Sequence, residues 1–488
     1  MNQISTPTIA ARLAEKIHAF SPDQATQKGL AVARRAITDT LGVTFAGIPE
    51  PCVQILLSVP GVATSAGSSL ILGTDRRTSA LDAALVNGTA SHALDYDDFC
   101  ATLGGHQSVP LVPALFAVAE ERKFSGRQVL NAYIVGVETE LRIARGVNFH
   151  HYDKGWHPTA TLGVFGTVAA VSHLIGLDAE KTTTALGLAA SFAAGLKANF
   201  GTMTKPLHIG HCGRDGVLAV LLAERGFTAN PAAFEHHQGF LNVFNGPGTF
   251  DVDRIFADWG DPLEVEDPTI AIKQFPCCGS THPAVMMALE LYEQDGVRAG
   301  DVTALEVRPH IRRFRHTDTP DPQTQLQAKF SVQYVVARAL LDGAVRLKDF
   351  EGTAYAEPEI QRLLGVTTSG PHPDMPEDGE AQWGAEVGVT LKDGRRLTRR
   401  VDNVVGRGGD NPMSGSEMWT KFEDCARRSL PREQIAPLFE RLETLESADD
   451  ISLVMKLMQG HAKPPGAAQP IRFATHTEQD APETTWIP

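Results

Sequence analysis

Through the first 265 residues, apolar positions recur every three to four residues, the spacing that lines one face of an α-helix. Ile9, Leu13 and Ile17 predict a helix over 7–20, opened near Pro7. Ser21-Pro22-Asp23 starts a longer one that runs through Ala33, Ile37, Leu41 and Phe45 to Gly47. The segment 51–80 is mixed, with a β-like run at Ser69-Leu70-Ile71-Leu72. Helices are expected at 80–92, 109–122, 126–146 and 159–175. The last carries Gly163, Gly166, Ala169 and Ala170, small enough to let helices approach closely. Asp178 caps a helix over 180–194, and another spans 214–225.

The pattern changes near Thr269. Thr269 to Phe275 reads as a strand, then a helix at 283–294, a β-branched segment at 302–307 and a helix at 327–341. Val387 to Leu391, Asp393-Gly394 and Arg396 to Val401 predict a hairpin, because Asp-Gly favours its tight turn. From Ser414 to Leu457 the chain is helical again, with too few apolar residues to stand alone, so it is expected to pack back on the first part. Residues 461–488 lack periodicity and are expected to be extended or disordered. The fold class expected is mainly α. A large all-helical domain is made from 1–269 and 408–460, and a smaller α+β unit over 270–407 is inserted between them.

Composition narrows the function. The chain has 488 residues and a net charge of −14, with no extended basic cluster, which argues against nucleic acid and against an anionic membrane surface. The N-terminus has neither a secretory apolar core nor the Arg-rich pattern of a transit peptide, so a cytoplasmic location is expected. Six scattered cysteines without Cys-x-x-Cys suit free thiols in a reducing compartment and are poor material for an iron–sulfur cluster, which needs several spaced thiolates. An acidic protein that binds an anion must concentrate a few cations locally.

One stretch concentrates chemistry: His92-Ala-Leu-Asp95-Tyr-Asp97-Asp98-Phe-Cys-Ala-Thr-Leu-Gly-Gly-His106. Two histidines and three carboxylates between two apolar segments are expensive to bury without a purpose. The acidic run superficially suggests a metal motif. No His-x-x-x-His or Glu-x-x-His pair completes one, so no metal is expected. Gly-x-Gly-x-x-Gly, P-loop and Gly-x-Ser-x-Gly signatures are also missing. Four later stretches add candidates. His157 lies in Lys154-Gly-Trp-His-Pro-Thr, at a helix entrance. Lys205 lies in Asn199-Phe-Gly-Thr-Met-Thr-Lys-Pro-Leu-His208, before a helix expected to begin near Gly213. There free N–H groups can hold a carboxylate. His282 ends Lys273-Gln-Phe-Pro-Cys-Cys-Gly-Ser280-Thr281-His, where a helix N-terminus disfavours added positive charge and keeps the ring neutral. Tyr334 lies in Lys329-Phe-Ser-Val-Gln-Tyr and could donate a proton.

Asn87-Gly-Thr-Ala-Ser-His-Ala-Leu-Asp-Tyr-Asp-Asp, Gly155-Trp-His-Pro-Thr, Thr204-Lys-Pro-Leu-His-Ile-Gly, Gly279-Ser-Thr-His-Pro and Gly409-Asp-Asn-Pro-Met-Ser, in this order, resemble the MmgE/PrpD family over about residues 7–457. Its members include 2-methylcitrate dehydratase, cis-aconitate decarboxylase and iminodisuccinate epimerase. The resemblance implies a helical domain with an inserted α+β lid, a homodimer, and no metal or organic cofactor. It places the active site on Asp95, His106, His157, Lys205 and His282, with Tyr334. Substrate binding is expected at Lys205, His208, Lys273, Ser280 and Thr281. The chain departs from the decarboxylase pattern at Phe99, where those enzymes carry Thr, and in one extra residue before Gly-Gly-His106-Gln.

The chemistry shared by these substrates makes or breaks a C–H bond beside a carboxylate. It needs a base, an acid and cations for the charge that develops. Lys205 is expected to clamp a carboxylate, His106 and His157 to form the acid–base pair, His282 to close the site, and Asp95 to orient a histidine. Asp97, Asp98 and His92 are expected to hold the turn. A small di- or tricarboxylic acid is the expected partner, and a 2-methylcitrate dehydratase-like lyase the expected activity. An epimerase and a decarboxylase are the alternatives within the family. A non-catalytic binding protein and a metal-dependent hydrolase stand outside it.

Overall fold

The computed structural model describes residues 7–266, 270–377, 381, 383–402, 407–409 and 411–460. The expected tail at 461–488 lies outside the described residues. Helices dominate the first half: Ile9–Ala19, Gln27–Gly47, Pro51–Ser58, Ala80–His92, Ser108–Arg122, Gly126–Val147, Gly163–Ile175, Ala179–Phe192 and Thr204–Glu224. Their starts follow the capping residues in the sequence. Thr8, Thr26, Ser79, Ser125 and Asp178 each accept a hydrogen bond from a backbone N–H of the first turn.

Three local expectations are corrected. Segment 51–80 holds the helix Pro51–Ser58 as well as the short strand Ser69–Leu70, which pairs with Arg77–Thr78. The helix expected from Gly213 begins at Thr204. Pro206 falls in its first turn, where no N–H partner is needed, so Lys205 is helical rather than extended. Gly210 allows close packing inside this helix: a Cβ there would lie 2.3 Å from the Leu85 carbonyl and 2.2 Å from Thr89 Oγ1. The helix expected over 327–341 is two, Gln325–Lys329 and Val332–Asp342, because Ser331 turns its hydroxyl onto the Tyr334 N–H and caps the second.

The second half is mixed. A four-stranded sheet runs in the order Thr367–Ser369, Val302–Pro309, Ala385–Leu391, Arg396–Val401, the first pair parallel and the others antiparallel. Gly394, at φ +86°, supplies the left-handed residue of the hairpin turn. Helices His282–Glu293 and Val332–Asp342 pack together beside this sheet. Buried apolar side chains fall into two large clusters. One spans Ile9 to Ile270 and resumes from Phe422 to Met458, so the C-terminal helices do pack on the first part. The other spans Phe275 to Leu391. Among the described residues, the stretch long and apolar enough to cross a membrane, Pro158–Ile175, has 89% of its residues buried inside the protein, as a core helix would. A further contact between the halves is short: Phe99–Cys100 pairs antiparallel with Ile270–Ala271.

Gly210→Ala tests the close approach of the Ala80–His92 and Thr204–Glu224 helices. The added methyl meets backbone, which cannot swing aside, so a loss of stability of about 1–3 kcal/mol is expected in urea unfolding. An unchanged midpoint and slope would show that the helices can separate without cost.

Candidate active site

The turn after the Ala80–His92 helix brings most of the site together. Asp95 adopts φ +53°, a left-handed conformation costly for a residue with a Cβ. This turns its carboxylate towards lysines from two other elements. Lys205 Nζ lies 2.9 Å and Lys273 Nζ 3.3 Å from Asp95 Oδ1. Asp95 is held well below the usual carboxylate range: Lys205 and Lys273, with the neighbouring histidines, outweigh burial, which alone would raise it most.

Backbone carbonyls of the same turn are held as well. Lys329 donates to Leu94 O at 3.0 Å, Lys273 to Asp95 O, and Lys421 to Tyr96 O at 2.9 Å. Lys421 also donates to Lys273 O at 2.8 Å and pairs with Asp39 Oδ1 at 2.5 Å. Burial still pushes the Asp39 carboxyl up to about 6 against that pairing. Tyr96 donates its hydroxyl to Gln274 O at 2.9 Å.

Asp97 faces the Nδ1 side of both histidines. Its Oδ2 lies 2.8 Å from His92 Nδ1 and 2.9 Å from His106 Nδ1. His106 Nδ1 is also 2.8 Å from the Asp98 carbonyl, which can only accept, so this nitrogen carries the proton and Nε2 is left as an acceptor. His106 Nε2 is 3.5 Å from Asp95 Oδ1. Asp97 is held well below the usual range, His106 and His92 together outweighing the larger effect of burial. Asp98 goes the other way. Burial raises it well above the usual range, and it accepts from the Ser108 hydroxyl at 2.6 Å. It serves the turn.

His157 caps the short helix Pro158–Thr161, pinned by its N–H to Gly195 O at 3.0 Å. Its ring lies 5.8 Å from that of His92 and 4.9 Å from Phe200, and its Nδ1 is 3.2 Å from His208 Nδ1. Burial first, then the neighbouring His92 ring and the Lys205 ammonium, hold His157 well below its ordinary value. His208, expected to bind substrate, thus faces His157.

Other expected residues stand further out. His282 is buried, with Nε2 3.3 Å from Cys277 O and its ring edge-on to Phe275 at 5.2 Å. It is pushed down to about 3, chiefly by burial rather than by its helix terminus, with Lys273 next. Ser280 Oγ lies 2.9 Å from His316 Nε2, and Thr281 donates to Cys278 O at 2.7 Å. Tyr334 is not brought to the cluster. Its hydroxyl donates to Asp349 O, receives Arg338 Nε at 3.3 Å, and lies within the second apolar core. Sequence reasoning missed Lys421 and the bridging role of Asp97.

His92, Asp95, Asp97 and His106 offer ligand atoms within 4.8 Å of one another, close enough to hold a metal ion. Their donors are already matched with acceptors: the His92 N–H on Asp97 Oδ2, the His106 N–H on the Asp98 carbonyl beside it, and two ammonium groups on Asp95 Oδ1. A dication would have to displace or face both lysines, so the donor set fits an ion-pair network better than a metal centre.

The arrangement combines cations, an oriented acceptor on His106 and a second imidazole on a facing element. The MmgE/PrpD N-terminal domain matches residues 11–253 and the MmgE/PrpD C-terminal domain residues 275–444. A cis-aconitate decarboxylase of Mus musculus is 30% identical over 466 residues, covering 93% of this chain and 94% of its own. One from Aspergillus terreus is 25% identical, covering 89% and 92%. A 2-methylcitrate dehydratase of Cupriavidus necator is 26% identical, covering 86% and 90%.

Burial of neutral His282 makes stability depend on pH. The unfolded ring takes up a proton near 6.5 and the folded ring only near 3. The unfolded state therefore binds more protons between these values, and stability is full above 6.5 and falls as pH drops towards 3. Urea titrations at pH 7 and pH 4.5 should show that loss reduced in His282→Asn. An equal loss in the variant would mean the folded ring protonates freely.

Proposed function

The chain belongs to the MmgE/PrpD family, and from that premise we propose that it is a lyase for a small hydroxy-tricarboxylic acid, removing water in the manner of a 2-methylcitrate dehydratase. The observation that carries this reading is the pair of ammonium groups, Lys205 and Lys273, beside a histidine whose Nδ1–H is held by the Asp98 carbonyl with Asp97 alongside. His106 Nε2 takes the proton next to a substrate carboxylate. The electron pair moves into that carboxylate, where the lysines stabilise the charge. His157 gives a proton to the departing hydroxyl, and water leaves as the double bond forms. Burial keeps His157 neutral at rest, so it takes up a proton before it gives one to the hydroxyl and does not stand as a cation between turnovers. The unit over 270–407, which delivers Lys273 and Lys329, acts as the lid. The homodimer and the cytoplasmic setting belong to the same reading.

A decarboxylase is the second reading. It is favoured by the 30% identity to a cis-aconitate decarboxylase over 93% of this chain. Against it, Phe99 replaces the Thr of that group and its ring lies 6.3 Å from Trp383, an apolar wall where a hydroxyl is expected.

Incubation of the protein in EDTA with 2-methylcitrate, citrate, cis-aconitate and iminodisuccinate, followed by NMR in D2O, tests this. A vinylic proton from a hydroxy-acid is expected. Carbon dioxide release would favour decarboxylation, and deuterium uptake without net conversion would favour epimerisation. Activity only with added metal would sink the metal-free mechanism. Lys205→Ala is expected to lower turnover at least a hundred-fold, and near wild-type turnover would remove Lys205 from the reaction.

A further inference from the structure

His92 and His208 have no task in the chemistry above. The His92 side chain is wholly buried at the end of the Ala80–His92 helix. Because Asp97 is ionised, His92 Nδ1 must donate to it, and the neutral ring then keeps a bare lone pair on Nε2. That buried Nε2 has no hydrogen-bond partner among the described residues. An unpaired buried acceptor is costly, and a ring needed only to tether Asp97 would be served by an Asn amide.

A path leads outward from it. The next ring is His157, 5.8 Å away with the planes 30° apart. His157 Nδ1 meets His208 Nδ1 at 3.2 Å, so one of these nitrogens donates and the other accepts. His208 is half-exposed, and His211, three residues further along the same helix, is exposed. One set of tautomers gives every link a donor and an acceptor. His208 Nδ1–H donates to His157 Nδ1, His157 keeps its own proton on Nε2, and His92 Nδ1–H donates to Asp97 and leaves its Nε2 free to accept. The wide step is between His157 and His92, and histidine χ2 is a soft torsion that lets the rings turn.

We propose that His208, His157 and His92 form a proton relay that joins solvent to the buried Asp97 and recharges the acid of the site after each turnover. This rests on the acid–base reading of the site. A proton from water binds His208 Nε2, and His208 passes its Nδ1 proton to His157 Nδ1. His157 then passes its Nε2 proton to the departing hydroxyl when substrate is present, or to His92 Nε2 when it is not, in which case His92 hands its Nδ1 proton to Asp97 Oδ2. Each relaying ring ends neutral, and one proton has moved inward. The relay carries one proton at a time. Burial is the largest influence holding all three rings down, and Lys205 and the neighbouring imidazoles add to it: Lys205 on each of them, His106 on His92 and His157, and His211 on His208. Asp97 and Asp95 are the carboxylates that face this end of the site.

His208→Ala tests the relay. In dilute, bulky buffer its turnover should fall at least ten-fold, and added imidazole should restore most of the loss in a concentration-dependent way. A purely structural role would not respond to imidazole. Wild-type turnover in the variant, or a loss that no small amine restores, overturns the relay. If the variant does not fold, the 15N shifts of the wild-type histidines decide. The relay requires His92 as the Nδ1–H tautomer and His157 as the Nε2–H tautomer, and the opposite form of either contradicts it. If the wild type turns over none of the carboxylic acids, the proposed function fails, while the tautomer measurement still decides the relay.

Discussion

Three ammonium groups hold three consecutive carbonyls: Lys329 that of Leu94, Lys273 that of Asp95, and Lys421 that of Tyr96. Everything else in the site depends on this clasp. It keeps Asp95 in a left-handed conformation that the residue would not choose alone. Each hydrogen bond from a charged donor is worth roughly 1.5–3 kcal/mol. Burying each lysine costs several kcal/mol. The net gain in stability is therefore small, and the clasp serves position more than stability. It also joins the parts of the chain, because Lys273 and Lys329 come from the mixed second half and Lys421 from the C-terminal helices.

The clasp explains how a protein with a net charge of −14 can receive a polyanion. Lys205, Lys273, Lys329 and Lys421 converge on one turn, and the carboxylates near them are spoken for. Asp95 faces the ammonium groups and Asp97 the two imidazoles. Asp98 is raised well above the usual carboxylate range by burial. His92 and His157, desolvated and close to cations, stay neutral. They can exchange protons without presenting a permanent charge.

Much of this was legible in the sequence, for local reasons. Helices announce themselves through a repeat of 3.6 residues and through caps such as Asp178 and Ser125. Asp95, Asp97, His92 and His106 stand within fifteen residues, so their chemistry could be read, though not their division of labour. That division depends on where the Asp95 backbone turns. The wrong start for the Thr204–Glu224 helix has the same kind of cause: Pro206 and three glycines look like a loop until a partner helix lies against them. Lys421 reaches Tyr96 across 325 positions and Lys329 reaches Leu94 across 235, by bonds to backbone that leave no mark on residue pattern. Tyr334 was readable as a helix start, but only the second core decides that its hydroxyl meets Asp349.

The central claim is that the lysines around Asp95 form a receptor for a substrate with several carboxylates. Calorimetric titration with propane-1,2,3-tricarboxylate, which has no hydroxyl to lose, measures this apart from turnover. At low ionic strength the account predicts saturable binding that weakens with added salt and drops at least ten-fold in Lys205→Met. No binding, or equal affinity in the variant, would contradict it.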